Sequence, residues 1–204
     1  MPLFKHKETG QYQLAIWYVQ EPASFFEKET GLRAPHKIER HRLEFLASRY
    51  LLKLLTPSFP FDRVEQSPSG KPFLPSEGIH FSISHSFPFV GIVLSPAPVG
   101  IDVQVFRQKI ARLQSKFLSA TEQAYFNDDV KQLTLAWAAK EAVFKWAGLP
   151  AIDFKAHMPI RDYRLSYPDA FMEIGFQKKM PEQPVQLLGE IEDDFGWMVT
   201  LPVL

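Results

Sequence analysis

Asp102, Glu141 and Lys145 are charged residues set among apolar neighbours, and that setting makes them candidates for chemistry. Glu141 and Lys145 stand four apart in Trp137-Ala138-Ala139-Lys140-Glu141-Ala142-Val143-Phe144-Lys145, which puts them on one side of a helix. That helix is apolar nearly all round, with Leu133, Leu135, Ala136, Trp137, Ala142, Val143 and Trp146, so its charges have no ordinary wet face to occupy. Charge in such a place is costly unless it meets a partner, a metal or a charged ligand. The plain alternative is a surface Glu–Lys pair, which adds only about 0.2–0.5 kcal/mol.

Reading residues 99–106 as a strand puts Val99, Ile101, Val103 and Val105 on one face, and Gly100, Asp102, Gln104 and Phe106 on the other. An acid inside a β-branched run runs against strand propensity, and Gly100 leaves room for a close approach to the backbone. Oxygen ligands from Asp102 and Glu141 suit magnesium, which completes its octahedron with water and substrate phosphates. A solvated acid on an edge strand is the bland reading. Upstream, Phe81-Ser82-Ile83-Ser84-His85-Ser86 alternates like a strand and carries one histidine between hydroxyls.

The order Ser84-His85-Ser86, then Gly100-Ile101-Asp102, then the Trp137–Lys145 run resembles the 4'-phosphopantetheinyl transferase superfamily, specifically the larger monomeric type that activates peptide and polyketide synthetases. The likeness runs from about Gly70 to Lys145. It implies transfer of the phosphopantetheine arm of coenzyme A to a serine of an apo acyl or peptidyl carrier protein, with release of adenosine 3',5'-bisphosphate. By the same resemblance, Asp102 and Glu141 hold Mg²⁺ against the pyrophosphate, and Lys145 neutralises phosphate charge. Ser84, His85 and Ser86 contact the nucleotide 3'-phosphate, and Gly70-Lys71-Pro72 lies along the adenosine. These roles suit the side chains, since lysine is a point charge for phosphate and a hydroxyl can donate to its oxygens. Where many relatives carry an acid two residues after the aspartate, this chain has Gln104, which can bind a metal through its carbonyl but brings no negative charge.

Glu122 matches the glutamate that the family places between these motifs, as a general base or a further metal contact. Ser119-Ala120-Thr121-Glu122 is equally a capping box, with Ser119 as N-cap. Lys37, Arg40, Arg42, Arg49 and Lys53 crowd one long helix, mostly as a solvated face; Arg42 and Arg49 share a side with Phe45 and Leu46, and one of them is a candidate for reaching a phosphate in a cleft. His6, His36, His41, His80 and His157 have no motif around them and read as ordinary surface or half-buried side chains.

These residues are carried by 204 residues, enough for one sizeable domain or two small ones sharing a core. Lys and Arg balance Asp and Glu at 23 each, which argues against a general nucleic-acid or anionic-membrane binder. Without cysteine there are no disulfides, zinc-thiolate sites or thiol nucleophile. No run approaches the ~20 apolar residues of a membrane span, and the first ten residues lack a signal-peptide pattern, so a cytoplasmic location is expected; that the protein is a monomer is what the resemblance implies.

Strands are expected at 12–19, 81–86, 90–94, 99–106, 170–176, 185–191 and 197–203, with helices at 22–29, 35–55, 108–116, from 121, and 130–147. The Pro96-Ala97-Pro98 bend divides residues 1–97, the nucleotide side, from 98–204, which carries the metal motifs. Each half reads as helices plus antiparallel strands, fitting the pseudo-twofold α+β architecture that the resemblance implies. The expected reaction is attack by the carrier serine, relieved of its proton by Glu122 or a metal-bound water, on the β-phosphate of coenzyme A. The rivals are a non-catalytic coenzyme A or nucleotide-binding regulator, favoured by Gln104, and a metal-dependent phosphohydrolase.

Overall fold

The computed structural model describes residues 3–67, 70–75, 78–178 and 181–202. Two antiparallel sheets carry the architecture. The first has strand order β1-β2-β6-β5, built from β1 (Leu3–Glu8), β2 (Gln13–Tyr18), β5 (His80–Ser86) and β6 (Phe89–Ser95). A small ribbon of β3 (Glu65–Gln66) and β4 (Pro72–Phe73) precedes β5. The second sheet, ordered β7-β11-β10-β9-β8, comprises β7 (Ile101–Val105), β8 (Ile160–Ser166), β9 (Asp169–Phe176), β10 (Gln183–Ile191) and β11 (Phe195–Thr200). The expected α+β class holds, and the chain passes from one sheet to the other between Ser95 and Ile101.

Helices α1 (Ala23–Thr30) and α2 (Glu39–Leu55) pack on the first sheet, where Phe26, Leu46, Leu51 and Leu52 meet Trp17 and Ile92. α2 begins at Glu39 rather than at Pro35, since Ile38 keeps an extended backbone. Beyond the sheet crossover come α3 (Lys109–Phe117), α4 (Ala120–Phe126) and α5 (Val130–Ala147). α5 spans the residues its periodicity predicts, because Asp129 caps its first turn and Gly148 closes it at φ 60°, a conformation that glycine adopts without strain. It lies on β7 and β11 with Leu135, Ala138, Ala139, Ala142 and Val143 buried. A third apolar cluster, of Leu14, Ile16, Val93, Ile101, Val103 and Trp197, joins the two sheets. Strand β11 ends at Thr200, short of the expected end at residue 203, which lies outside the described residues.

The close approach that Gly100 was expected to permit is made by α5 itself: a Cβ built there would lie 2.0 Å from the Ala142 carbonyl oxygen and 2.8 Å from the Trp146 nitrogen. Both obstacles are backbone and cannot rotate away. Gly100→Ala is therefore expected to cost about 2–3 kcal/mol, read as a lower denaturation midpoint with unchanged m-value.

Candidate active site

The edges of the two sheets meet through serines. Ser82, Ser84 and Ser86 alternate along β5, and their hydroxyl oxygens accept the backbone N–H groups of Ile101 (3.2 Å), Val103 (3.1 Å) and Val105 (3.1 Å). A period of two along one strand thus satisfies every second amide on the free edge of β7. Ser84 is buried and also donates to Asp102 Oδ1 at 2.7 Å. This revises the expectation that Ser84 serves a phosphate, since its hydroxyl both accepts and donates within the protein; Ser86 only accepts, and its own proton remains to donate into the cavity it borders.

Asp102 is the hub. Only 2% exposed, it receives Ser84 and the Lys145 ammonium (2.7 Å) on Oδ1 and the Gln104 amide (2.9 Å) on Oδ2. The shared strand face expected for Asp102 and Gln104 is realised in that last contact. Gln104, with His85 and Ser86, borders a cavity of about 410 Å³ that is closed by α3 and Trp137. Lys145, on the other side of Asp102, borders a recess of about 190 Å³ with Gly70, Lys71, Pro72 and Ser82. Six of the predicted site residues therefore line two hollows, His85, Ser86 and Gln104 in one and Lys71, Pro72 and Lys145 in the other, and Asp102 bonds to both through Gln104 and Lys145. Lys71 donates to the Val99 carbonyl at 3.4 Å, and burial, aided by Lys145, pulls its ammonium down to about 8.

Glu141 sits one helical step from buried Lys140 and faces the Asp102 side. It takes no hydrogen bond from the described residues. Burial and, next, the Asp102 charge push its carboxyl up to about 7, with Lys145 opposing. A cation between the two carboxylates would relieve both causes, and the donors are all oxygen if Gln104 contributes its carbonyl, which fits magnesium. Among the described residues no three His, Cys, Asp or Glu converge as metal ligands, so water or substrate phosphates would have to complete the shell. Without metal, the raised carboxyl binds its proton more tightly in the folded state than in the unfolded one. Its contribution to stability is present below the ordinary value of 4.5 and lost as pH rises through about 7. Glu141→Gln is expected to match the parent near pH ~4 and to exceed it by about 1–2 kcal/mol near pH ~8 in chelator, a shift worth roughly 3 kcal/mol being discounted for partial exposure. Paired melts at the two pH values check this.

Glu122 and Arg42 leave the site. The capping box at Ser119 is present, with Ser119 N–H donating to Glu122 Oε2 at 2.6 Å; Glu122 Oε1 accepts from Ile160 N–H (2.7 Å) and from Lys140 (2.9 Å). With 4% exposure and both oxygens taken, Glu122 has no reach to a substrate hydroxyl. Lys140, fully buried, also donates to the Phe117 and Phe154 carbonyls. Arg42 is tied to Glu39 (2.8 Å) and Glu27 (3.2 Å) on the outer side of α2. Arg49 stacks on Phe45 at 3.8 Å. The basic residue of α2 that does line the cavity is Arg40; its partner Glu44, four residues on, was the sequence clue to a held arginine.

Residues 98–172 match the model of the 4'-phosphopantetheinyl transferase superfamily. They contain Asp102, Gln104, Glu141 and Lys145. A stretch of 109 residues is also 30% identical to the 4'-phosphopantetheinyl transferase gsp of Aneurinibacillus migulanus, covering 50% of this chain and 45% of that protein. Of the three short motifs, Gly100-Ile101-Asp102 and the Trp137–Lys145 run fall within residues 98–172, and Ser84-His85-Ser86 lies before them. The chain spans about half the length of that relative. Among the described residues no helix is long and apolar enough to cross a membrane.

Proposed function

We propose that this protein transfers the 4'-phosphopantetheine group of coenzyme A to a serine of an apo acyl or peptidyl carrier protein, as a Mg²⁺-dependent holo-carrier synthase acting as a cytoplasmic monomer. The observation that carries the reading is Asp102: a buried carboxylate held between Gln104 on one hollow and Lys145 on the other, opposite Glu141, within the stretch that matches the superfamily. Asp102 and Glu141, with the Gln104 carbonyl, are the residues to hold magnesium, which when bound would supply positive charge to the pyrophosphate. Lys145 is 23% exposed, so its ammonium can exchange Asp102 for a phosphate oxygen as charge develops there. Lys71 brings a second cation to the same recess. The carrier serine oxygen forms its bond to the β-phosphorus while the bridging bond to the α-phosphate breaks, the serine proton passes to water, and the nucleotide leaves as adenosine 3',5'-bisphosphate. Most of this is positioning and electrostatics.

The decisive experiment mixes the protein with coenzyme A, Mg²⁺ and a panel of apo carrier proteins and reads intact mass. A carrier heavier by one phosphopantetheinyl group supports the proposal. Coenzyme A binding without any mass gain would favour the regulator that uncharged Gln104 suggests, and cleavage of coenzyme A without carrier would favour a phosphohydrolase.

A further inference from the structure

Glu44 is a buried carboxylate for which the reaction above has no use. It lies on the inner side of α2 at 3% exposure, where an unpaired charge is costly. Its Oε1 accepts from Arg40 Nε at 2.8 Å, and its Oε2 lies 3.4 Å from His85 Nδ1 on β5. Arg40 and His85 both line the 410 Å³ cavity, and their side chains are 48% and 49% exposed. An ordinary i,i+4 pair on a helix surface keeps both partners in water. Here the acid is enclosed and the two nitrogen-bearing groups face open space.

That arrangement has a direction. The carboxylate stands behind and occupies Arg40 Nε and the Nδ1 side of His85, while the terminal nitrogens of Arg40 and His85 Nε2 take no partner among the described residues. Burial, and to a lesser degree Lys145 and Arg40, pull the His85 imidazolium below its ordinary value, and Glu44 opposes them, so the acid behind the pair favours the charged ring beside Arg40 while fixing both rotamers. The Arg40 guanidinium is further steadied 5.9 Å above the Phe87 ring. A planar fork and an imidazole nitrogen converging on one hollow suit a dianionic phosphate monoester.

We propose that Glu44 is a positioning residue: it locks Arg40 and His85 into a clamp for a terminal phosphate, which under the proposed function is the 3'-phosphate of the nucleotide. Glu44 touches no substrate and acts through the two donors. The identity of the ligand rests on the proposed function, but the clamp can be tested without turnover.

The test is calorimetric titration of the full chain with adenosine 3',5'-bisphosphate and, separately, adenosine 5'-phosphate. The unmodified protein should favour the bisphosphate. Glu44→Gln should weaken bisphosphate binding roughly tenfold, about the worth of one charge-assisted hydrogen bond, and leave the monophosphate within about twofold. Arg40→Gln, on the solvent side of the pair, should do the same. The double variant should lose little more than either single change, because both act on one clamp. Equal losses on both nucleotides, no loss, additive losses, or no initial preference would each overturn the proposal. Should Glu44→Gln fail to fold, the Arg40→Gln pair of titrations decides alone. Carrier loading by the same preparations separates the two readings: selective binding without loading sinks the transferase and spares the clamp, and loading by the unmodified protein with variants that lose both nucleotides equally, or neither, does the reverse.

Discussion

Asp102→Asn and Glu141→Ala are each expected to lower carrier loading by a factor on the order of 10²–10³ or more, the scale of losing a preorganised electrostatic contact to a transferring group. Asp102→Ala should abolish loading as well, but it also strips the partner from Ser84 and Lys145, so the asparagine variant separates charge from packing. Glu141 makes no hydrogen bond that its loss would break among the described residues, and its removal should leave the metal-free fold as stable as before or more so. The combined variant should fall little below either single one, as befits two residues acting through one ion. Near-normal loading by either variant at low Mg²⁺ would dismiss the two-carboxylate site.

Why those two acids were legible while others were not follows from what surrounds them. Asp102 lies within a β-branched run and Glu141 on a helix with almost no polar face, so local pattern alone marks both as costly. Lys140 lies on that same helix, one residue from Glu141 and so about 100° round the axis, facing Glu122 instead of Asp102. The four-residue spacing puts Lys145, not Lys140, on the Glu141 side, but the residues alone do not show that Lys140 finds its partner in Glu122. The role of Ser84 is hidden for a related reason. Alternation along β5 was visible, but hydroxyls aimed at a partner strand and hydroxyls aimed at a phosphate have the same spacing, and only the meeting of two sheet edges distinguishes them.

Besides the two-residue strands β3 and β4, the strands absent from the expected set are β1 and β8, Leu3-Phe4-Lys5-His6-Lys7-Glu8 and Ile160-Arg161-Asp162-Tyr163-Arg164-Leu165-Ser166. β1 and β8 are edges of their sheets, where charged side chains discourage pairing with another chain and also dilute the apolar alternation that reveals interior strands. In the sequence Arg40 is only one of four Lys and Arg residues on α2. Its place at the cavity depends on Glu44 turning inward toward His85, a contact between segments far apart in the chain.

Glu122→Gln is expected to lower stability by about 3–5 kcal/mol while leaving kcat of the folded protein nearly unchanged. Glutamine still satisfies the third position of a capping box, so the hydrogen bond with Ser119 is not what is lost. The loss is the charge opposite Lys140, whose ammonium is fully buried and has only the Phe117 and Phe154 carbonyls besides. Removing one member of a buried ion pair strands the other, and that is the costly event; replacing both by groups of similar volume is much milder. Adding Lys140→Met to Glu122→Gln should therefore recover more than half of the lost stability, an opposite outcome to two independent losses. Chemical denaturation of the single and double variants, with loading rates measured well below their melting temperatures, provides the comparison. A Glu122→Gln protein as stable as the parent but slow in turnover would return Glu122 to the proton-transfer role that its sequence position suggests.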